Sequence, residues 1–375
     1  MTHPGTSLRI GVNALYLIPG EVGGTEIYLR SLLEALALVD ARNEYFVFAS
    51  REMDSDFVPA SPRFHLIRTG ISARNRPARI LYEQTVLPRL IRKHGVEVLL
   101  NPGFTAPALS AVPSVTVFHD LQHKRHPEFF RWFDLPFWNL FLWTSAKRSR
   151  SLIAVSQATA SDLEQYYPGS QAKTDVVPHG VDPEFFRIGK RRRASAAPPY
   201  LLTVSTLHPH KNLERLLEAF REFRKSRPEF SLVVAGLRGH ASDSLERLRR
   251  DLGLEDSVRF TGWIPRAELY QLFEGADAFI APSRFEGFGM PILEALAAGI
   301  PLACSSIAPF DALVGDAALR FSPDSTEALT AAMEQVTSDS AFRQRARVAG
   351  PDQAHGFDWE HTARLTLGVI QKAVT

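Results

Sequence analysis

Two glutamates, Glu286 and Glu294, bracket a glycine-rich run in the stretch SRFEGFGMPILEALAAGIP at 283–301. An ionised carboxylate only accepts hydrogen bonds, so it suits sugar hydroxyls, which donate. The stretch reads as strand (AFIAPS), loop (SRFEGFG) and helix (PILEALAA), with Pro291 at the first helical position and Gly299 just past the end. Backbone N–H groups of Gly287, Phe288, Gly289 and Met290 would then line a helix N-terminus, where partial positive charge favours an anion. Glu294, one turn inside that helix, is placed for a ribose diol, and Glu286, in the loop, for a sugar. The plainer alternative is a carboxylate complementing the helix dipole and another in solvent. The order strand, glycine loop, helix favours the ligand reading.

Two further stretches repeat strand, loop and helix, and a third ends a strand in a loop. In TVSTLHPHKNLERLLEAF (203–220), a strand runs into a loop holding Thr206, His208, His210 and Lys211, then an amphipathic helix with Asn212 as its expected N-cap. An ammonium beside a helix start suits a diphosphate. In GEVGGTEIYLRSLLEAL (20–36), Gly23 and Gly24 open a helix after the first strand. The spacing is not the dinucleotide fingerprint, but a glycine backbone can approach a phosphate closely. In VTVFHDLQHKRHPEFF (115–130), His119 and Asp120 end a strand. His123 and His126 follow at a spacing unlike zinc sites, so no metal is expected. Asp54 and Asp56, an Asp-x-Asp pair, read as a solvated loop.

These loops need strands to hold them. Apolar runs at 8–12, 45–49, 96–100, 114–118, 152–155, 200–205, 231–235, 257–260, 277–281 and 300–304 are continuous and β-branched, as in parallel strands buried on both faces. Amphipathic stretches alternate with them, among them Leu213, Leu216, Leu217 and Phe220 at helical spacing. The expected fold class is α/β, two Rossmann-like doubly wound domains facing a common cleft, with ligands outside the carboxyl ends of the strands. The first domain is read at 1–183, a linker at 184–198, where PEFFRIGKRRRASAAPP shows no hydrophobic period, and the second domain at 199–357. The 375 residues carry a formal net charge of +2, which gives no sign of a nucleic-acid partner. One cysteine, Cys304, lies in an apolar run and reads as core, and no secretory signal or membrane span is evident, so the expected location is cytoplasmic. The segment FFRWFDLPFWNLFLWTSAKRSR (129–150) is dense in aromatic rings followed by basic residues. Burial of most of these rings is expected; the alternative is peripheral contact with the inner face of a membrane or with a lipid acceptor.

The ordered set resembles the large retaining glycosyltransferase family four, of GT-B fold: Gly23 and Gly24, LYEQTVLP (81–88), FHDL (118–121), AVSQATASDL (154–163), VVPHGVD (176–182), STLHPHKN (205–212), FTGWIP (260–265) and Glu286 with Glu294. The resemblance implies transfer of a sugar from a nucleoside diphosphate sugar to an acceptor hydroxyl, with retention and without metal or other cofactor. It implies that Lys211 holds the diphosphate, Glu294 the ribose, Glu286 the donor sugar, and that His119 lies near the anomeric carbon. Backbone N–H groups of Gly24, Phe288 and Gly289 would complete the contacts. A last helix, about 358–375 and starting near Trp359, would cross back to the first domain. One departure stands out: relatives carry an arginine where this chain has Thr206, and a protonated His208 or His210 would have to replace it. STLHPHKN and LYEQ are most similar to bacterial relatives using GDP-mannose on glycan or lipid-linked acceptors in surface polysaccharide assembly. UDP- and dTDP-sugars, and a nucleotide-sugar epimerase on the same fold, are the alternatives; a non-catalytic two-lobed binding protein and a dinucleotide dehydrogenase are further rivals.

Overall fold

The computed structural model describes residues 7–21, 23–192 and 198–375. The chain divides into two units: 1–180 with 359–375, and 181–358. The first unit holds seven parallel strands: β1 (Arg9–Ala14), β2 (Glu44–Ala49), β3 (Phe64–Arg68), β4 (Val98–Asn101), β5 (Ser114–Phe118), β6 (Ser151–Ala154) and β7 (Thr174–Val176). Their order is β3-β2-β1-β4-β5-β6-β7. The second holds six: β8 (Tyr200–Val204), β9 (Ser231–Ala235), β10 (Val258–Gly262), β11 (Ala278–Ala281), β12 (Leu302–Ser305) and β13 (Ala318–Phe321), in the order β10-β9-β8-β11-β12-β13, again parallel. The strand order reverses at β1/β4 in one unit and at β8/β11 in the other, which is where open α/β sheets leave a crevice for ligands.

Three strands escaped the sequence reading: β3, β7 and β13, all at sheet edges. Their burial patterns are mixed, whereas the central strands are buried over most or all of their length, so they lack the continuous apolar run that marks a central parallel strand. The helix Leu213–Ser226 forms where expected and buries Leu213, Leu216, Leu217 and Phe220 against the second sheet. Each such side chain contributes roughly 1.5–3 kcal/mol of transfer free energy.

The stretch read as a linker needs correction. Its first half is the helix Pro183–Arg191, N-capped by Asp182, whose Oδ1 accepts from the Glu184 N–H at 2.9 Å. Phe185 and Ile188, one turn apart, are fully buried, and the Phe185 ring packs on Phe273. Two buried apolar residues on a nine-residue helix are too few to show as a period, yet they fix it to the second unit. Arg192 then donates to the carbonyls of Phe273, Glu274 and Ala276, closing the C-terminus of the helix Arg266–Gly275. Residues 193–197 of the expected linker lie outside the described residues. At the other end, the helix Trp359–Val374 packs on the helix Gly24–Val39 of the first unit.

The aromatic segment also differs from expectation. The helix Leu135–Arg148 buries only a narrow strip, Leu142, Ser145 and Ala146. Trp132 is 82% exposed, and Phe133, Leu140 and Trp143 are at least half exposed. Rings spread around the whole helix cannot all face one sheet. No helix among the described residues is long and apolar enough to cross a membrane.

Candidate functional site

In the second unit, the loops after β8 and β11 meet at the strand-order reversal. Asn212 joins them. It sits at the N-cap position of its helix but in the left-handed region (φ 58°), and its side chain makes no cap bond. Its amide instead donates to the Pro282 carbonyl at 3.0 Å and the Pro323 carbonyl at 2.8 Å, stapling the loops after β8, β11 and β13. The Arg284 N–H adds a bond to the His210 carbonyl at 2.8 Å. The expected capping role is therefore replaced by a tertiary one: an asparagine tolerates positive φ and offers two donors.

This staple brings Lys211 and Glu286 together. Lys211 Nζ lies 2.5 Å from Glu286 Oε1, and both side chains are about four-fifths buried (17% and 20% exposed). Ser283 Oγ also donates to Glu286 at 2.9 Å. Thr206, the position lacking a charge, is half-buried beside them in sequence. Burial, with His240 and Lys211 nearby, pushes the His208 pKa below the ordinary value, which opposes the protonated form. His210 stands over His208, ring centroids 5.8 Å apart.

Downstream, Gly289 precedes the helix Met290–Ala297 at φ 116°, and a Cβ there would meet the Phe310 ring at 2.8 Å, so only glycine fits. Pro291 is in the first turn and Gly299 follows the end at φ 59°. Gly287 is buried, and the Phe288 ring is buried near Phe357, so any ligand contact by these two is through backbone. Met290 is half-buried. Glu294 is 6% exposed and pairs with Arg266 at 3.0 Å. Burial pushes the Glu294 carboxyl up and Arg266 pulls against it. Arg266 also reaches Asp182 at 3.3 Å, and Tyr270 donates to the same Asp182 oxygen. Sequence reading missed Arg266, Asp182 and Tyr270. An arginine just after the Pro265 of FTGWIP was the available signal.

In the first unit, Gly23 is the N-cap of the helix Gly24–Val39 at φ 69°, and Gly24 is exposed. His119 follows β5 and is buried. Its Nε2 is 2.8 Å from the Pro102 carbonyl, in the loop after β4. A carbonyl cannot donate, so Nε2 carries the proton and Nδ1 holds a lone pair. Burial lowers the His119 pKa to about 4, so the ring is neutral at physiological pH. Tyr28, Phe104 and His179 surround it. His123 and His126 do not converge on it. His123 is buried against the Tyr167 hydroxyl, and His126 faces Glu128 at the surface. No group of three or more His, Cys, Asp or Glu among the described residues is arranged to hold a metal. Cys304 is fully buried, its thiol pushed up to about 12, and Asp54 and Asp56 are exposed.

Comparison with known proteins bears on this arrangement. The family description "Glycosyltransferase Family 4" matches residues 22–185, and "Glycosyl transferases group 1" matches 187–353. O-antigen chain mannosyltransferase B of Escherichia coli is 30% identical over 268 residues, 69% of this chain and 70% of that one. The chain belongs to the family four glycosyltransferases. This glycosyltransferase is also 29% identical over 290 residues to the MMP alpha-(1->4)-mannosyltransferase of Mycolicibacterium hassiacum, 73% of this chain and 69% of that one. Among solved structures it resembles sucrose-phosphate synthase from Thermosynechococcus elongatus, with a TM-score of 0.81 at 20% identity over 97% and 98% of the two chains. The fold is GT-B, two Rossmann-like parallel-sheet domains, as the sequence led one to expect.

Proposed function

We propose that this glycosyltransferase moves a hexose, mannose from GDP-mannose, to a hydroxyl of a glycan or lipid-linked acceptor in bacterial surface polysaccharide assembly, with retained configuration and without a metal. The observation that carries the reading is the Lys211–Glu286 pair beside the start of the helix Met290–Ala297, on the strand pair where the sheet order reverses. The pair is a switch of partners. A donor diphosphate takes Lys211, joined by backbone N–H groups at 287–290, and Glu286 turns to a hydroxyl of the sugar. Glu294, held by Arg266, accepts from the ribose hydroxyls. His119, neutral and with Nδ1 unprotonated, accepts from a hydroxyl of the transferred sugar. The bond from the anomeric carbon to the phosphate oxygen breaks with its electron pair leaving on the diphosphate. The acceptor oxygen bonds the same carbon from the same face, and its proton passes to the departing phosphate. Charge on that phosphate is met by Lys211 and the helix start, the preorganised stabilisation that typically contributes ~10²–10³ in rate per group.

Mannose is favoured because two relatives are named mannosyltransferases. We place the reaction at the cytoplasmic face of the membrane, where the exposed aromatic face of 132–143 would serve peripheral contact. The test is thermal shift against GDP, UDP, dTDP and ADP, then transfer assays with the matching sugars. A rise in melting temperature with GDP above the others, and acceptor-dependent release of GDP from GDP-mannose, are expected. Failure of every nucleoside diphosphate to bind at millimolar concentration refutes the reading. Turnover of the nucleotide sugar without acceptor favours the epimerase.

A further inference from the structure

The first unit contains a cavity of about 200 Å³ whose wall includes Tyr16, Arg76, Arg79, Phe104, Phe137 and Trp138. Its two arginines are unusual. Arg79 is 8% exposed, and its Nε has no hydrogen-bond partner among the described residues. The nearest carboxylate along its helix, Glu83, is spent elsewhere: it accepts from Asn13, Thr105 and Gln84 at 2.9–3.1 Å. Arg76, at the start of the same helix, lies 3.9 Å over the Trp138 ring and is attracted by Asp134, but makes no ion pair among the described residues. Two guanidinium groups facing one cavity repel each other and lose hydration, and the Glu83 carboxylate, whose charge acts on Arg79 while its oxygens bond elsewhere, offsets only part of this. Such a placement is favourable only when an anion arrives.

The backbone beside them is strained toward this shape. Phe104 has φ 69°, rare for an aromatic residue, and a Cβ on the preceding Gly103 would meet the Tyr16 ring at 2.4 Å. The Phe104 ring lies 5.2 Å from His119, so the cavity abuts the candidate catalytic histidine. The opposite wall is the helix Leu135–Arg148, which lines the cavity with Phe137, Trp138 and Phe141 and turns Leu140 and Trp143 to solvent. One helix thus joins a cationic cavity to an exposed apolar face.

We infer that this cavity receives the phosphate or diphosphate head of an acceptor whose apolar chain lies along the exposed rings of the helix Leu135–Arg148, with Arg76 and Arg79 as the head-group ligands. The inference rests on the glycosyltransferase reading and names the acceptor class. Arginine forks match phosphate oxygens two at a time, and the aromatic wall suits the first apolar carbons. Sugar attached to that head would be presented toward His119.

Binding of farnesyl diphosphate, inorganic pyrophosphate and farnesol to the full chain tests it by calorimetry. Farnesyl diphosphate is expected to bind at least tenfold tighter than either fragment. Arg76→Gln and Arg79→Gln should each weaken it at least tenfold, and Trp143→Ser, a surface change that leaves the fold alone, at least threefold. Nucleoside diphosphate affinity should be unchanged in all three, and far-ultraviolet circular dichroism with the full thermal unfolding amplitude, which reads both units, reports that each variant is folded. Equal binding of pyrophosphate and farnesyl diphosphate overturns the lipid assignment, and normal binding by both arginine variants overturns the site. A chain that binds a nucleoside diphosphate but not farnesyl diphosphate refutes this inference and leaves the glycosyltransferase reading intact; failure to bind any nucleoside diphosphate strikes that reading itself.

Discussion

Glu286→Gln should tighten nucleoside diphosphate binding while slowing transfer. In the free protein Lys211 is already neutralised by Glu286 at 2.5 Å, so a diphosphate must displace the carboxylate before it can use the ammonium. At an effective dielectric near 20, a pair at that separation attracts by roughly 7 kcal/mol before solvation costs. Removing both ends from water consumes most of this. The pair is neither surface-exposed nor fully buried, and a net coupling of ~1–2 kcal/mol fits between those limits. Glutamine keeps the shape and the bond from Ser283 but drops the competing charge. The dissociation constant of the preferred nucleoside diphosphate should then fall about fivefold to thirtyfold. Turnover with the full sugar nucleotide should fall about 10²–10³-fold, because the sugar loses its acceptor group. Lys211→Ala should weaken the nucleoside diphosphate and slow turnover together. Calorimetric titration of both variants, with steady-state kinetics alongside, separates the two. Weaker nucleotide binding in Glu286→Gln would refute the exchange of partners.

The remaining expectations concern the scaffold and its pH response. Asn212→Ala removes two bonds to carbonyls and leaves an alanine at positive φ, for a loss of about 2–4 kcal/mol in denaturant unfolding; Asn212→Gly, which tolerates the φ, should lose less, and equal losses would count against the backbone part. Phe185→Ala should cost about 3–5 kcal/mol, because the ring belongs to the second unit's core; a loss under ~1 kcal/mol would restore the linker reading. His119 and His123 both have pKa values lowered to about 4 by burial, and His179 is lowered as well. The unfolded chain therefore binds more protons between about pH 6.5 and 4, so stability is full above that window and falls with pH through it. Glu83 and Glu294, raised by burial, act in the opposite sense above their ordinary range. Melting temperature should drop steeply from pH 6.5 to 4.5, and a flat profile would contradict neutral buried imidazoles.

Much of the site was legible because its signals are local. The strand at 277–281, the glycines and the proline lie within one short run, so the helix start could be read at Pro291, one residue past its place at Met290. Central strands announce themselves because burial on both faces demands an unbroken apolar run. The edge strands β3, β7 and β13 face that demand on fewer sides and stayed hidden.

The sequence by itself determined the repeating strand–loop–helix grammar, the family, and which loops follow the central strands. Tertiary structure alone decided who pairs with whom. Lys211 and Glu286 are 75 positions apart, and their contact depends on β8 lying beside β11. The same holds for Arg266 on Glu294, for the asparagine that staples three loops instead of capping a helix, and for the carbonyl that fixes the His119 proton. An aromatic segment that reads as core turned Trp132, Phe133 and Trp143 to solvent, since composition records how apolar a segment is but not how wide a face its neighbours leave for it. Periodicity is a property of one element; charge pairing, tautomer and exposure are properties of the space between elements, which only the folded chain defines.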